Sequence, residues 1–160
     1  MAARVAFNTD SRDSFYDITG PHSGDDGVFT ASGRLSLLWE PSSNLSVLFK
    51  TDLNYLDLSA YPAEPVFYDD EPFDITSNAE WMALDRFMRS SLRVDYEFAN
   101  GVTLRSVSGY QEGNTMYRAD LDGTSVGVNT FRDNVDETIY SQEFNLISPD
   151  DGPLTWILGA

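Results

Sequence analysis

The stretch GRLSLLWEPSSNLSVLFKTDLNYLD, residues 33–57, alternates apolar and polar side chains on both sides of a Pro-Ser-Ser-Asn turn at 41–44. A two-residue period belongs to strands whose two faces meet different surroundings. Leu35, Leu37 and Trp39 share one face against Arg34 and Ser36. After the turn, Leu45, Val47, Phe49, Leu53 and Tyr55 oppose Ser46, Lys50, Asp52 and Asn54. The pattern predicts an all-β fold, and it raises the question of what covers so bare an apolar face.

The same period returns in segments at about 3–17, 28–40, 45–57, 90–98, 102–118, 138–147 and 154–160. Asn100-Gly101, between the fourth and fifth, is the strongest hairpin signal in the chain. Two stretches break the pattern: a long loop at 58–86, interrupted by Pro62, Pro65 and Pro72, and a second loop at 120–136. Segments joined this way predict an antiparallel up-and-down meander of about seven long strands. The expected sheet is single, curved and twisted, with no helix beyond a turn or two near 77–86.

Composition narrows the role. Twenty-six acids against ten bases give a net charge of -16, which repels phosphate backbones and argues against nucleic acid as a partner. The absence of Cys removes disulfides and thiolate chemistry. No apolar run approaches the roughly 18 residues of a membrane-spanning helix, but a transmembrane β-strand needs only about 9–11 residues with apolar side chains at alternate positions. The opening MAARVAFNTDSRD lacks the apolar core of a signal peptide, and the last segment still reads as strand. Both ends are therefore expected to lie within a longer protein.

Length and aromatic placement favour a barrel wall. Several segments reach 13 residues or more, past the usual five or six of globular strands. Trp39, Phe98 and Trp156 sit near the short turns, whereas Tyr55, Tyr110 and Tyr140 lie far along the same strands. At ~3.3 Å per residue and a tilt near 40°, the separation is about 25 Å, the height of the apolar band between the aromatic girdles of an outer-membrane barrel. Arg34, Lys50, Asp52, Arg93, Asp95, Glu97, Arg105 and Glu143 share the opposite parity and suit a wet lumen. The alternative is a soluble secreted β-sandwich binding carbohydrate, with Leu37, Phe49, Val94 and Phe144 in a shared core.

RLSLLWEPSSNLSV, SLRVDYEFANGVTLRSVSGYQ and ETIYSQEFNLISPDDGPLTWILGA together resemble the barrel repeats of TonB-dependent outer-membrane receptors. The resemblance covers most of the chain outside the loops. It implies a 22-stranded transmembrane β-barrel, of which residues 1–160 form an incomplete part without the plug. It further implies a location in the cell outer membrane of a Gram-negative bacterium and contact with outer-membrane lipid. The function implied is TonB-energised import of a scarce ligand, such as a ferric siderophore in iron uptake, cobalamin or an oligosaccharide. TonB and the plug domain would be engaged through parts of the parent protein absent here, so the fragment alone would transport nothing.

Candidates for chemistry are few. His22 is the only His and, without Cys, builds no transition-metal site. Asp69, Asp70 and Glu71 form an acidic loop tip that reads as solvated surface. The Asp120-Leu-Asp122-Gly123 run lacks the glycine and glutamate positions of a calcium loop. No nucleophile elbow, phosphate loop or zinc motif is present, so neither catalysis nor a cofactor is expected. The long loop does interleave Tyr61, Phe67, Tyr68, Phe73 and Trp81 with acids. These aromatics either stack on a ligand or pack on one another to fold the loop.

Overall fold

A computed structural model describes residues 1–20, 27–59, 63–65, 73–151 and 153–160. Its strands are β1 (Ala2–Arg12), β2 (Asp17–Thr19), β3 (Val28–Ser42), β4 (Leu45–Asp57), β5 (Asp74–Thr76), β6 (Met82–Glu97), β7 (Thr103–Asp120), β8 (Thr130–Ile147) and β9 (Ile157–Gly159). Seven of them form one sheet in the order β1-β3-β4-β6-β7-β8-β9, every neighbouring pair antiparallel. The chain is thus all-β, and the expected seven-strand meander is present with no helix among the described residues.

Local chemistry sets the turns. Pro41 has no N–H to give to a ladder, and the β3–β4 register shifts between Trp39 and Ser42 before the chain reverses. At the Asn100-Gly101 hairpin, the Phe98 N–H donates to the Val102 carbonyl at 2.8 Å and Gly101 adopts φ +81°. A Cβ there would be strained, so the glycine is required. The connections 43–44, 98–102 and 148–156 lie at one end of the sheet, and 13–27, 58–81 and 121–129 lie at the other.

Three boundaries differ from the sequence reading. β6 begins at Met82, so the first irregular segment ends earlier than residue 86, and the helical turn considered near 77–86 is strand and bend. β8 begins at Thr130, inside the expected second loop. β1 stops at Arg12, and Asp17–Thr19 leaves to pair in parallel with Asp74–Thr76. The last pair joins two copies of the tripeptide Asp-Ile-Thr.

Almost no core underlies the main sheet. The buried apolar residues among those described are Ile75, Ala79, Leu84 and Ala119, all at the long-loop end. Along the rest of the sheet, Val5 is 76% exposed, Trp39 52%, Leu53 56% and Phe144 50%. Such apolar exposure over a contiguous face marks a surface meant to be covered.

Candidate functional site: a two-faced wall and its loop end

Paired residues in an antiparallel ladder point to the same face, so the register sorts every side chain. One face is built from successive rungs. The lowest joins Leu45, Tyr96, Leu104, Leu146 and Leu158. The next joins Trp39, Val47, Val94, Ser106 and Phe144, and above it lie Ala3, Leu37, Phe49, Leu92, Ser108 and Gln142. The fourth joins Val5, Leu35, Thr51, Ser90, Tyr110 and Tyr140. None of these four rungs holds a charge.

Polar side chains within the band satisfy one another. The Thr51 and Ser90 hydroxyls lie 2.9 Å apart, Ser108 donates to Gln142 Oε1 at 2.6 Å, and Gln142 Nε2 donates to Ser106 Oγ at 2.9 Å. Mutual pairing of this kind is what polar groups need where water is excluded. On this face of β4 no charge occurs from Leu45 to Tyr55, although neighbouring strands carry Glu112 on the Leu53 rung and Arg86 on the Tyr55 rung. At ~3.3 Å per residue that stretch measures about 33 Å of strand, or about 25 Å along a normal tilted 40°.

Aromatic pairs mark both limits. Tyr96 and Phe98 meet edge to face at 5.1 Å near the short turns. At the other limit Tyr110 and Tyr140 lie 5.0 Å apart, and Phe29 and Tyr55 6.0 Å apart. Charge appears at this limit: Tyr110 donates to Glu112 at 2.6 Å, and the guanidinium of Arg86, the ladder partner of Tyr55, lies 5.5 Å from the centre of the Tyr55 ring. These amphipathic rings therefore stand where an apolar layer gives way to a polar one.

The opposite face carries the charges. Arg34 bonds Asp52 at 2.5 Å, and Arg105 grips both oxygens of Asp95 at 2.7 and 3.2 Å while Arg93 lies 3.3 Å from the same carboxylate. Arg89 donates to Gln111, whose amide in turn bonds Glu137. Cross-strand pairs of this sort suit a hydrated surface.

The loop end is ordered by two aspartates. Asp120 is fully buried and accepts from Ser77 Oγ, Asn78 N, Asp122 N and Gly123 N. Asp122 accepts from Thr124 through both backbone and hydroxyl, and from the N–H groups of Val128 and Asn129. Those donors, the Thr124 hydroxyl foremost, hold the Asp122 carboxyl below its ordinary pKa. Both carboxylates act as templates for their own loop, and no cluster of three or more metal-binding side chains occurs among the described residues.

The sequence-derived ligand aromatics divide. Trp81 Nε1 donates to Ser77 Oγ at 2.5 Å, a contact that helps fold the loop. Phe73 is 57% exposed and lies 6.1 Å from Tyr16, beside the β2–β5 pair. Tyr61, Phe67 and Tyr68, like His22, Asp69, Asp70 and Glu71, lie outside the described residues. Sequence reading missed the joining of Ser77 to Asp120, since 43 positions separate them and no local pattern links them. The repeated Asp-Ile-Thr was the one available sign that residues near 17 and 74 meet.

Comparison with protein-family models, curated proteins and solved structures finds no match to this chain.

Proposed function

We propose that this sheet is part of the wall of a transmembrane β-barrel in the outer membrane of a Gram-negative bacterium, of the TonB-dependent receptor type. The observation that carries the reading is the charge-free band between aromatic pairs on one face, opposed by ion-paired charges on the other. The apolar face meets outer-membrane lipid, and the charged face lines the lumen. Further strands complete a barrel of 22, and a plug and TonB act through the rest of the parent protein. The role is binding and import of a scarce ligand, a ferric siderophore, cobalamin or an oligosaccharide, rather than catalysis. Phe73 supplies a candidate stacking surface at the loop end.

The native absence of Cys permits a clean test. Single cysteines at Phe49 and Lys50 occupy adjacent positions on opposite faces. In isolated outer membranes, a membrane-impermeant maleimide should modify Lys50→Cys and spare Phe49→Cys. Equal labelling of the two would overturn the assignment of faces. Recovery of the parent protein in the soluble fraction would favour the secreted carbohydrate-binding sandwich instead. That alternative needs a second sheet over Leu37, Phe49, Val94 and Phe144, and the described residues contain none.

A further inference from the structure

A chain with a net charge of -16 nonetheless gathers its cations. Arg4, Ser36 and Lys50 share one rung of the charged face, and Ala6, Arg34 and Asp52 share the next. Arg89 extends that second rung on β6. Four bases thus lie on two adjacent rungs with one carboxylate, Asp52, which is taken by Arg34. Arg4 and Lys50 form no ion pair among the described residues, and Arg89 is bonded to an amide.

Shape accompanies the charge. Arg4, Ala6, Arg34, Ser36 and Lys50 line a recess of about 300 Å³. Its floor is short, from Ala6 and the Ser36 hydroxyl, and its walls are the three long cations. Arg4 and Lys50 are two strands apart, about 10 Å at the backbone, a gap that a guanidinium and an ammonium on flexible stems can close from both sides. The recess therefore offers a planar fork, a point charge and a hydroxyl donor to one guest.

We propose that Arg4, Arg34 and Lys50, set around Ser36, form a binding site for a small multivalent oxyanion, a polycarboxylate or a phosphate. The guest satisfies Arg4 and Lys50, which the protein leaves without a carboxylate, and relieves the repulsion among the three cations. The site deepens the reading of this face as lumenal by naming the solute chemistry that the wall contacts, and it rests on that reading only for its location. An acidic net charge thus coexists with an anion-binding wall because the acids are placed elsewhere, many of them in loops.

The test is isothermal titration of the full chain, refolded in non-ionic detergent, with citrate and with inorganic phosphate. Saturable binding is expected, citrate being the tighter, and the Arg4→Gln/Lys50→Gln double variant should weaken it by about tenfold or more. Arg4→Lys/Lys50→Arg keeps both charges and should retain binding within about threefold. Arg12→Gln removes one charge outside the recess and should leave binding unchanged. Circular dichroism of each variant separates lost binding from lost fold. Absence of saturable binding by the folded wild-type chain, or binding indifferent to the double substitution, would overturn the proposal. So would saturation by a glutamate-rich peptide with none by citrate or phosphate, since the face would then hold a protein segment. Failure of the maleimide experiment leaves this titration standing, and the reverse holds equally.

Discussion

The band between Leu45 and Tyr55 and the cluster around Asp120 meet the problem of burial in opposite ways. In the cluster, Ile75, Ala79, Leu84 and Ala119 are enclosed by the chain itself, and a buried carboxylate has four donors to satisfy it. In the band, neighbouring strands are fully paired, yet the side chains of one face meet no second layer. One region is enclosed by the chain itself; the other leaves one face uncovered among the described residues. The difference teaches that hydrogen-bond ladders alone can define a strand while leaving its hydrophobic energy unclaimed.

The largest expected effect separates the two regions by solvent. Transferred from detergent to plain buffer, the chain should lose monodispersity in light scattering, because the uncovered face and the open edges of β1 and β8 associate. A cooperative monomer in buffer would break the comparison.

Next in size, Phe49→Arg places a charge in the middle of the band, beside Leu37 and Leu92. In the lipid-embedded protein it should cost about 2–4 kcal/mol by urea titration, with Val47→Arg costing less because it lies nearer the short turns. Ser46→Arg enters the charged face opposite Asp95 and should cost under ~1 kcal/mol. Equal damage at Ser46 and Phe49 would erase the distinction between faces.

At the loop end, Asp120→Ala strands buried donors of Ser77, Asn78 and Gly123. A local loss of about 1–3 kcal/mol is expected, read as faster amide exchange at 77–81 and 121–124 with strands β3 and β4 unaffected. Exchange that quickened through the band as well would show that the two regions are one cooperative unit.

The smallest effect is set by pH. Because the folded state lowers the Asp122 pKa, the carboxylate stabilises the loop above its ordinary value near 3.8. That contribution falls as the pH drops through the ordinary value and is lost below the lowered one. Amide protection at Thr124, Val128 and Asn129 should therefore fade selectively in acid, and Asp122→Asn should flatten the dependence.

Within the band, alternation in the sequence was sufficient to read strands, turns and faces, since one face is uncharged and the other polar. Beyond the Tyr110–Tyr140 pair it ceased to be informative. In MALDRFMRS, Arg86 lies on one face and Asp85 and Arg89 on the other, while Phe87 stands on the charged side. In TFRDNVDE the apolar Phe131 and Val135 likewise switch faces relative to Tyr140 and Phe144. Where charges fall on both faces, apolar and polar residues no longer alternate, so the starts of β6 and β8 read as loop. The Asp120 cluster was illegible for a different reason. Its contacts join 77–81 to 120–129 across most of a strand pair, and such closures leave no local trace.

The segregation of connections to opposite ends gives the sheet a direction of travel. On the proposed reading, the chain meets the outer membrane from the side where the short turns remain, so each hairpin must carry its long connection through the hydrocarbon. The Asp-Ile-Thr pair and the Asp120 cluster would then close only after crossing, and every residue added to those connections would add polar backbone to the barrier.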